Sequence, residues 1–197
     1  MRPFIHLRTS SEFSISRGLL RVKELVDAAV KYKMPAIALT DLNNFFGLVK
    51  FISYAESKGV KPILGCILNV KDSFSDTPHE VLCLAKTNIG LRGLINLISI
   101  SQNQIQNHKN FITLEQLEEF KTDIFIIMWG SNSYLYELNR QNRIQDSENY
   151  LKQYMSVAKG NLLLEINNFE DQNFALAKRT IFSLARLKMV LFAKAKF

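Results

Sequence analysis

"MPAIALTDLNNFFGLVKFISYAESKG", residues 34–59, decides the architecture. Its opening, "MPAIALT", is a continuous apolar run. Pro35 stands at its start, where a missing N–H does least harm to a strand. The following "NNFFGLVKFISYAESKG" has helical periodicity and stops at Gly59. A strand apolar on both faces, followed by an amphipathic helix, is the repeating unit of a parallel sheet covered by helices.

The pattern continues in both directions. Upstream, "RPFIHL" (2–7) reads as a short strand, and "RVKELVDAAVKYK" (21–33) places Val22, Leu25, Val26, Ala29 and Val30 at helical spacing. Downstream, "VKPILGCILNV" (60–70) and "HEVLCLA" (79–85) are strands, with a short loop between them. "NIGLRGLINLISISQ" (88–102) is helical in period, although Gly90 and Gly93 weaken its start. Thr113 and Gln116 have the spacing of a capping box. "TDIFIIMWG" (122–130) is a buried strand, and a polar helix pair follows over 133–158. "NLLLEI" (161–166), a helix over 174–187 and "MVLFA" (189–193) complete the series.

The β-α unit thus recurs six or seven times. The reading is one α/β domain over residues 1–197, best arranged as a closed or nearly closed (β/α) barrel. A doubly wound open sheet is the second arrangement, but no Gly-rich phosphate loop follows the first strand.

Hydrophobic residues make up 47% of the 197 and charged residues 22%, the proportions of a soluble globular domain. No apolar run approaches the roughly 18 residues of a membrane span. The N-terminus lacks a secretory apolar region, so a cytoplasmic protein is expected. Cys66 and Cys83 lie in apolar strand-like runs and read as small buried hydrophobes. The net charge of +7 is compatible with a nucleic-acid partner. Its lysines and arginines are scattered, however, and a solvated basic surface explains them equally well.

A barrel carries its chemistry where strands end. Those ends supply His6, Arg8 and Ser10, then Thr40 and Asp41, then Cys66 and Ile67, then His79 and Glu80, and finally Glu165. A hydrolytic metal cluster needs several His, Asp or Glu converging on its ions. The chain has only three histidines, and His108 lies in a polar stretch with no acidic partner nearby in sequence.

"FIHLRTSSEFS", "MPAIALTDLNNFFGLVKF", "GVKPILGC", "LCLAKTNIGLRGLINLIS" and "NLLLEI", in this order and spacing, resemble the N-terminal PHP (polymerase and histidinol phosphatase) domain of bacterial DNA polymerase III alpha subunits. The resemblance covers nearly the whole chain. It implies a distorted (β/α)7, TIM-like barrel. Metal-binding members carry ligands at positions matched here by Arg8, Ser10, Leu42, Ile67 and Glu80, with His6, Asp41 and His79 at the rim. Arg8, Leu42 and Ile67 are not ordinary metal ligands. The resemblance therefore implies a degenerate metal site, no catalytic residue and no cofactor in this chain.

Arg8, a permanent cation, is expected either to neutralise Asp41 or Glu80 in the ion's place or to face solvent. The parent polymerases are longer, and their Mg-dependent nucleotidyl transfer resides in a palm domain absent here. The last strand also departs from the family's usual closing turn, so a truncated C-terminal part is expected. The implied role is a non-catalytic scaffold that stabilises the polymerase and docks the proofreading exonuclease subunit. Other replicase subunits are further partners, DNA is met through the parent polymerase, and no membrane is involved. Tyr134, Tyr136, Tyr150 and Tyr154 are candidate docking anchors. The alternatives are a metal-dependent PHP phosphoesterase and a stand-alone nucleic-acid-binding module.

Overall fold

A computed structural model describes residues 4–15, 17–106, 108–128, 133–166 and 189–191. The helix expected over 174–187 lies outside the described residues. In chain order the elements are α1 (Val22–Lys31), β1 (Ala36–Leu42), α2 (Leu48–Ser57), β2 (Lys61–Lys71), β3 (His79–Ala85) and α3 (Asn88–Ser101). There follow β4 (Ile105–Gln106), β5 (Lys109–Asn110), β6 (Ile112–Thr113), α4 (Leu114–Glu118), β7 (Ile124–Met128), α5 (Tyr134–Arg140), α6 (Ile144–Ala158), β8 (Leu162–Ile166) and β9 (Met189–Leu191).

The main sheet has the order β1-β2-β3-β7-β8-β9, and β6 pairs with β2 off this path. β1–β2, β7–β8 and β8–β9 are parallel. β3 is antiparallel to both its neighbours. The expected all-parallel sheet is therefore corrected to a mixed one. The cause is the short link between β2 and β3. A parallel return needs a crossover of roughly a dozen residues or more, whereas a hairpin does not. The polar stretch around His108 forms the small hairpin β4–β5.

The segment before α1 is extended but is not a regular strand. Ala38 N–H donates to the His6 carbonyl at 2.8 Å, and Thr40 N–H to that of Thr9 at 2.9 Å. Between these bonds the ladder is interrupted by hydroxyls. Thr40 Oγ1 accepts from Thr9 N–H and donates to the Thr9 carbonyl, each at 3.0 Å, and the Thr9 hydroxyl donates to the Ala38 carbonyl. Threonine side chains offer the backbone such alternatives to strand pairing. Among the described residues no strand pairing joins β9 to this first segment.

Strand residues alternate between two apolar layers. Cys66, Leu68, Val70, Val81, Cys83, Ile126 and Leu164 pack on one face against α3, α4, α5 and α6. Ile67, Leu82, Leu84 and Ile127 form a cluster on the other, inner face, with Leu7, Leu42 and Leu163 against it. A third cluster joins α1 and α2 to Ile37 and Leu39 of β1. Burial on both faces is why the strands read as unbroken apolar runs. In α1, Val22, Leu25, Val26 and Ala29 are buried as expected, while Val30 turns to solvent at 45% exposure. α4 opens with its capping box: Gln116 N–H donates to the Thr113 hydroxyl, and Thr113 N–H to the Gln116 side chain.

Gly90 has a packing role. A Cβ there would stand 2.0 Å from the Asp123 carbonyl oxygen. The glycine lets the start of α3 lie directly on the turn before β7. This offsets the low helix propensity that makes it look out of place in the sequence.

Candidate functional site

In-register partners Leu42, Ile67, Leu82, Ile127 and Leu163 make a continuous apolar row across the inner face. Two residues further along their strands stand Asn69, Glu80 and Glu165. Asn69 and Glu80 are themselves register partners. The alternation of the strands puts these polar groups on the same face as the apolar row, at the carboxyl ends of β2 and β8.

Each of the two inner carboxylates is held by an arginine. Arg17 Nη2 lies 2.6 Å from Glu80 Oε1, and Arg8 Nε lies 2.8 Å from Glu165 Oε2. Arg8 comes from the first segment, beyond β1, and Glu165 from β8, so the sheet curls until these distant elements meet. Burial raises the Glu165 carboxyl above the usual carboxylate range, and Arg8 pulls in the opposite direction. Arg17 is held more firmly protonated by its hydrogen bond to Glu80.

The expected pairing of Arg8 with Asp41 or Glu80 is thereby corrected. Glu80 belongs to Arg17, and Asp41 is enclosed by the first loop. Ser11 N–H donates to Asp41 Oδ1 at 2.7 Å, the Ser14 hydroxyl donates to Oδ1 at 2.6 Å, and the Ser11 hydroxyl donates to Oδ2 at 2.7 Å. Asp41 is 1% exposed. Ser14 then anchors a turn, its carbonyl accepting from the N–H groups of Arg17 and Gly18. A chain of contacts thus runs from Asp41 through Ser14 to the arginine that meets Glu80.

Asn43 and Asn69 both donate to the Asn110 carbonyl, at 3.2 and 3.0 Å, and tie the β4–β5 hairpin beside this row. His6 is half-buried, packs edge-on against Phe4 at 4.7 Å, and has its pKa lowered by burial. Ser10 is half-buried at the end of the first segment.

His79 lies on the opposite face, away from the inner row. Its ring stacks on Tyr134 at 5.5 Å, and its Nε2 meets Asp72, Tyr150 and Tyr154. Tyr150 and Tyr154 are fully buried. They are corrected from docking anchors to core residues, because α6 presents this i, i+4 pair to the sheet. Tyr134 and Tyr136 are half-buried, and the Tyr134 hydroxyl donates to the Phe74 carbonyl at 2.8 Å.

The donor set at the inner row does not fit a metal cluster. Leu42 and Ile67 supply no donor atom and pack in the apolar layer. Both carboxylates of the row are engaged by permanent cations. Among the described residues, no three His, Cys, Asp or Glu side chains gather as a metal would need. The sequence reading noted Glu165 as a strand end without using it, and it missed Arg17, Ser11 and Ser14. An acid closing an apolar strand was the available signal for Glu165. Nothing local in sequence marks Arg17 as its counterpart's partner.

Residues 6–169 match the PHP domain family. DNA polymerase III subunit alpha of Rickettsia bellii is 30% identical over an alignment covering 97% of this chain and 17% of that protein. The corresponding subunit of Pasteurella multocida is 38% identical over 66% of this chain and 11% of that protein. The chain thus spans less than a fifth of the length of these relatives. Among solved structures, a putative metal-dependent phosphoesterase from Bifidobacterium adolescentis aligns with a TM-score of 0.63 at 10% identity. That alignment covers 98% of this chain and 87% of the other. An amidohydrolase from Chromobacterium violaceum aligns at 0.59 and 11%, covering 97% of this chain and 88% of the other. These likenesses concern the fold, whereas the family assignment rests on sequence: the chain belongs to the PHP domain family and is similar to the corresponding part of DNA polymerase III alpha subunits.

Proposed function

We propose that the chain acts as the PHP module of a DNA polymerase III alpha-type replicase, and that it is a non-catalytic scaffold there. The observation that carries this reading is the pair of arginine–carboxylate contacts, Arg8 with Glu165 and Arg17 with Glu80. A guanidinium supplies fixed positive charge and directional hydrogen bonds, but no open coordination position for water or substrate. The inner face keeps its electrostatic balance and gives up hydrolysis. On this reading the mixed sheet and its helices form a distorted (β/α)7-type barrel whose remaining task is mechanical.

Partners follow from the replicase context: the proofreading exonuclease subunit first, other replicase subunits next, and DNA through the polymerase as a whole. Exposed apolar side chains in the first loop and just beyond β1 support a protein-contact role. Ile15 and Leu19 in the first loop are 87% and 95% exposed, and Phe46 and Val49 after β1 are 79% and 78% exposed. Among the described residues no helix is long and apolar enough to cross a membrane. On this reading the protein works in the cytoplasm.

The test is to mix the purified chain with the cognate exonuclease subunit in a calorimeter. Association is expected, weakened when Phe46 and Val49 are both changed to serine. A folded chain that shows no heat of binding at tens of micromolar would remove docking from the proposal.

A further inference from the structure

Where β3 begins, beside the carboxyl end of β2, the surface holds a cleft of about 380 Å³. Separate segments of the chain line it. Arg17 comes from the first loop, Ser75 from the link between β2 and β3, Glu80 from β3, Lys109 from β5, and Ser133 and Glu137 from the start of α5. Glu80 is the most enclosed of the charged members, with 10% of its side chain exposed. Only one of its carboxylate oxygens is taken. Oε1 meets Arg17 at 2.6 Å, whereas Oε2 is buried and has no hydrogen-bond partner among the described residues. Buried polar atoms are almost always paired, and a charged acceptor left without a donor is costly. Glu80 lines the cleft, so a molecule seated there can supply the missing donor.

The walls carry unused capacity of both kinds. The Ser133 hydroxyl oxygen accepts from Tyr136 N–H at 3.2 Å, which leaves its proton to be donated. Lys109 is exposed and brings three donor protons. Glu137 Oε1 accepts from Gln141 at 3.1 Å, and its second oxygen is left as an acceptor. Charge narrows the ligand further. Arg17 and Lys109 balance Glu80 and Glu137. An added cation would stand beside Arg17, and an added anion would face two carboxylates. A neutral ligand meets neither penalty. It has to donate to the glutamates and accept from Lys109 and Ser133. A hydroxyl does both from one atom.

We propose that this cleft binds a neutral polyhydroxylated molecule of sugar type, one hydroxyl of which donates to Glu80 Oε2. Binding is noncovalent and is followed by no reaction. The site needs neither a metal nor an exonuclease, so the inference goes beyond the scaffold reading and stands or falls separately from it.

The experiment titrates methyl β-glucopyranoside into the isotope-labelled 197-residue chain and follows backbone amide shifts. Saturable shifts at the amides of Glu80, Lys109 and Glu137 are expected in the millimolar range. The permethylated glucoside keeps the ring and its acceptors but has no donor, and it should leave these amides unmoved. Lys109→Ala/Glu137→Ala alters exposed residues only and should weaken binding about tenfold or more, through the loss of hydrogen bonds to charged groups. Inorganic phosphate and ethylammonium, which test the charge argument, should each bind more weakly than the glucoside. A folded chain with no saturable shift would overturn the inference. So would equal shifts with the permethylated glucoside, undiminished binding in the double variant, or tighter binding of phosphate or ethylammonium at the same amides.

Discussion

Arg8 Nε stands 2.8 Å from Glu165 Oε2, so the segment before the first strand is tied to β8 across the inner face. Glu165 is nearly enclosed, with 6% of its side chain exposed, and Arg8 is 29% exposed. Removing one member of such a pair leaves the other charge buried and uncompensated, at a cost of about 3–5 kcal/mol. Arg8→Met should therefore destabilise the chain by about that much in urea titration at neutral pH. The double variant Arg8→Met/Glu165→Leu should recover most of the loss.

The same pair gives a pH dependence with a definite sign. Burial raises the Glu165 pKa in the folded chain, against the pull of Arg8. A carboxyl with a raised folded pKa binds its proton more tightly when folded. Its contribution to stability is complete below the ordinary carboxylate range and is lost as pH rises through the folded value. Arg8→Met raises that value further. The deficit of the variant relative to the parent should be smallest near about pH 4 and grow toward neutrality. Paired denaturation curves across this range check it, and a deficit independent of pH would remove Glu165 as its source.

Asp41 organises the first loop through Ser11 and Ser14. Ser14→Ala removes one hydroxyl donor to a buried carboxylate and should cost about 1–3 kcal/mol. Because Ser14 also anchors the turn that carries Arg17, hydrogen exchange in residues 11–18 should quicken with it. Loss of stability without faster exchange there would separate Asp41 from Arg17.

Gly90→Ala should destabilise by about 1–3 kcal/mol, although alanine is the better helix former. The added Cβ would meet the Asp123 carbonyl at 2.0 Å and push α3 off the turn before β7. A neutral or stabilising outcome in thermal unfolding would contradict that contact.

Cys66 and Cys83 are in-register neighbours on β2 and β3, and both are fully buried. Burial pushes the Cys83 thiol up to about 12 and the Cys66 thiol well above its ordinary value. Labelling by a thiol reagent at about pH 9 should be slow and follow global unfolding, because only the thiolate reacts. Rapid labelling in the folded chain would place at least one of them at the surface.

Local pattern made much of this structure legible. Continuous apolar runs named β1, β2, β3, β7 and β8, and the Thr113–Gln116 spacing named the start of α4. Strand direction was less legible, because periodicity is the same for parallel and antiparallel pairing. The short link after Lys71 held the information that reverses β3. Pairings across the fold lay beyond local sequence. Arg8 finds Glu165 and Arg17 finds Glu80 only because the sheet curls and Ser14 fixes a turn. The tyrosines of α6 misled for a related reason. A polar helix was read by its composition, while its i, i+4 face decides what the sheet receives.

The scaffold account is tested most directly by assaying phosphoesterase turnover of the purified chain with Mn²⁺ or Zn²⁺ supplied, alongside Glu165→Gln. With Arg8 and Arg17 occupying the two inner carboxylates, turnover of the chain should equal that of the metal in buffer alone. Metal-dependent turnover that disappears in Glu165→Gln would contradict the account.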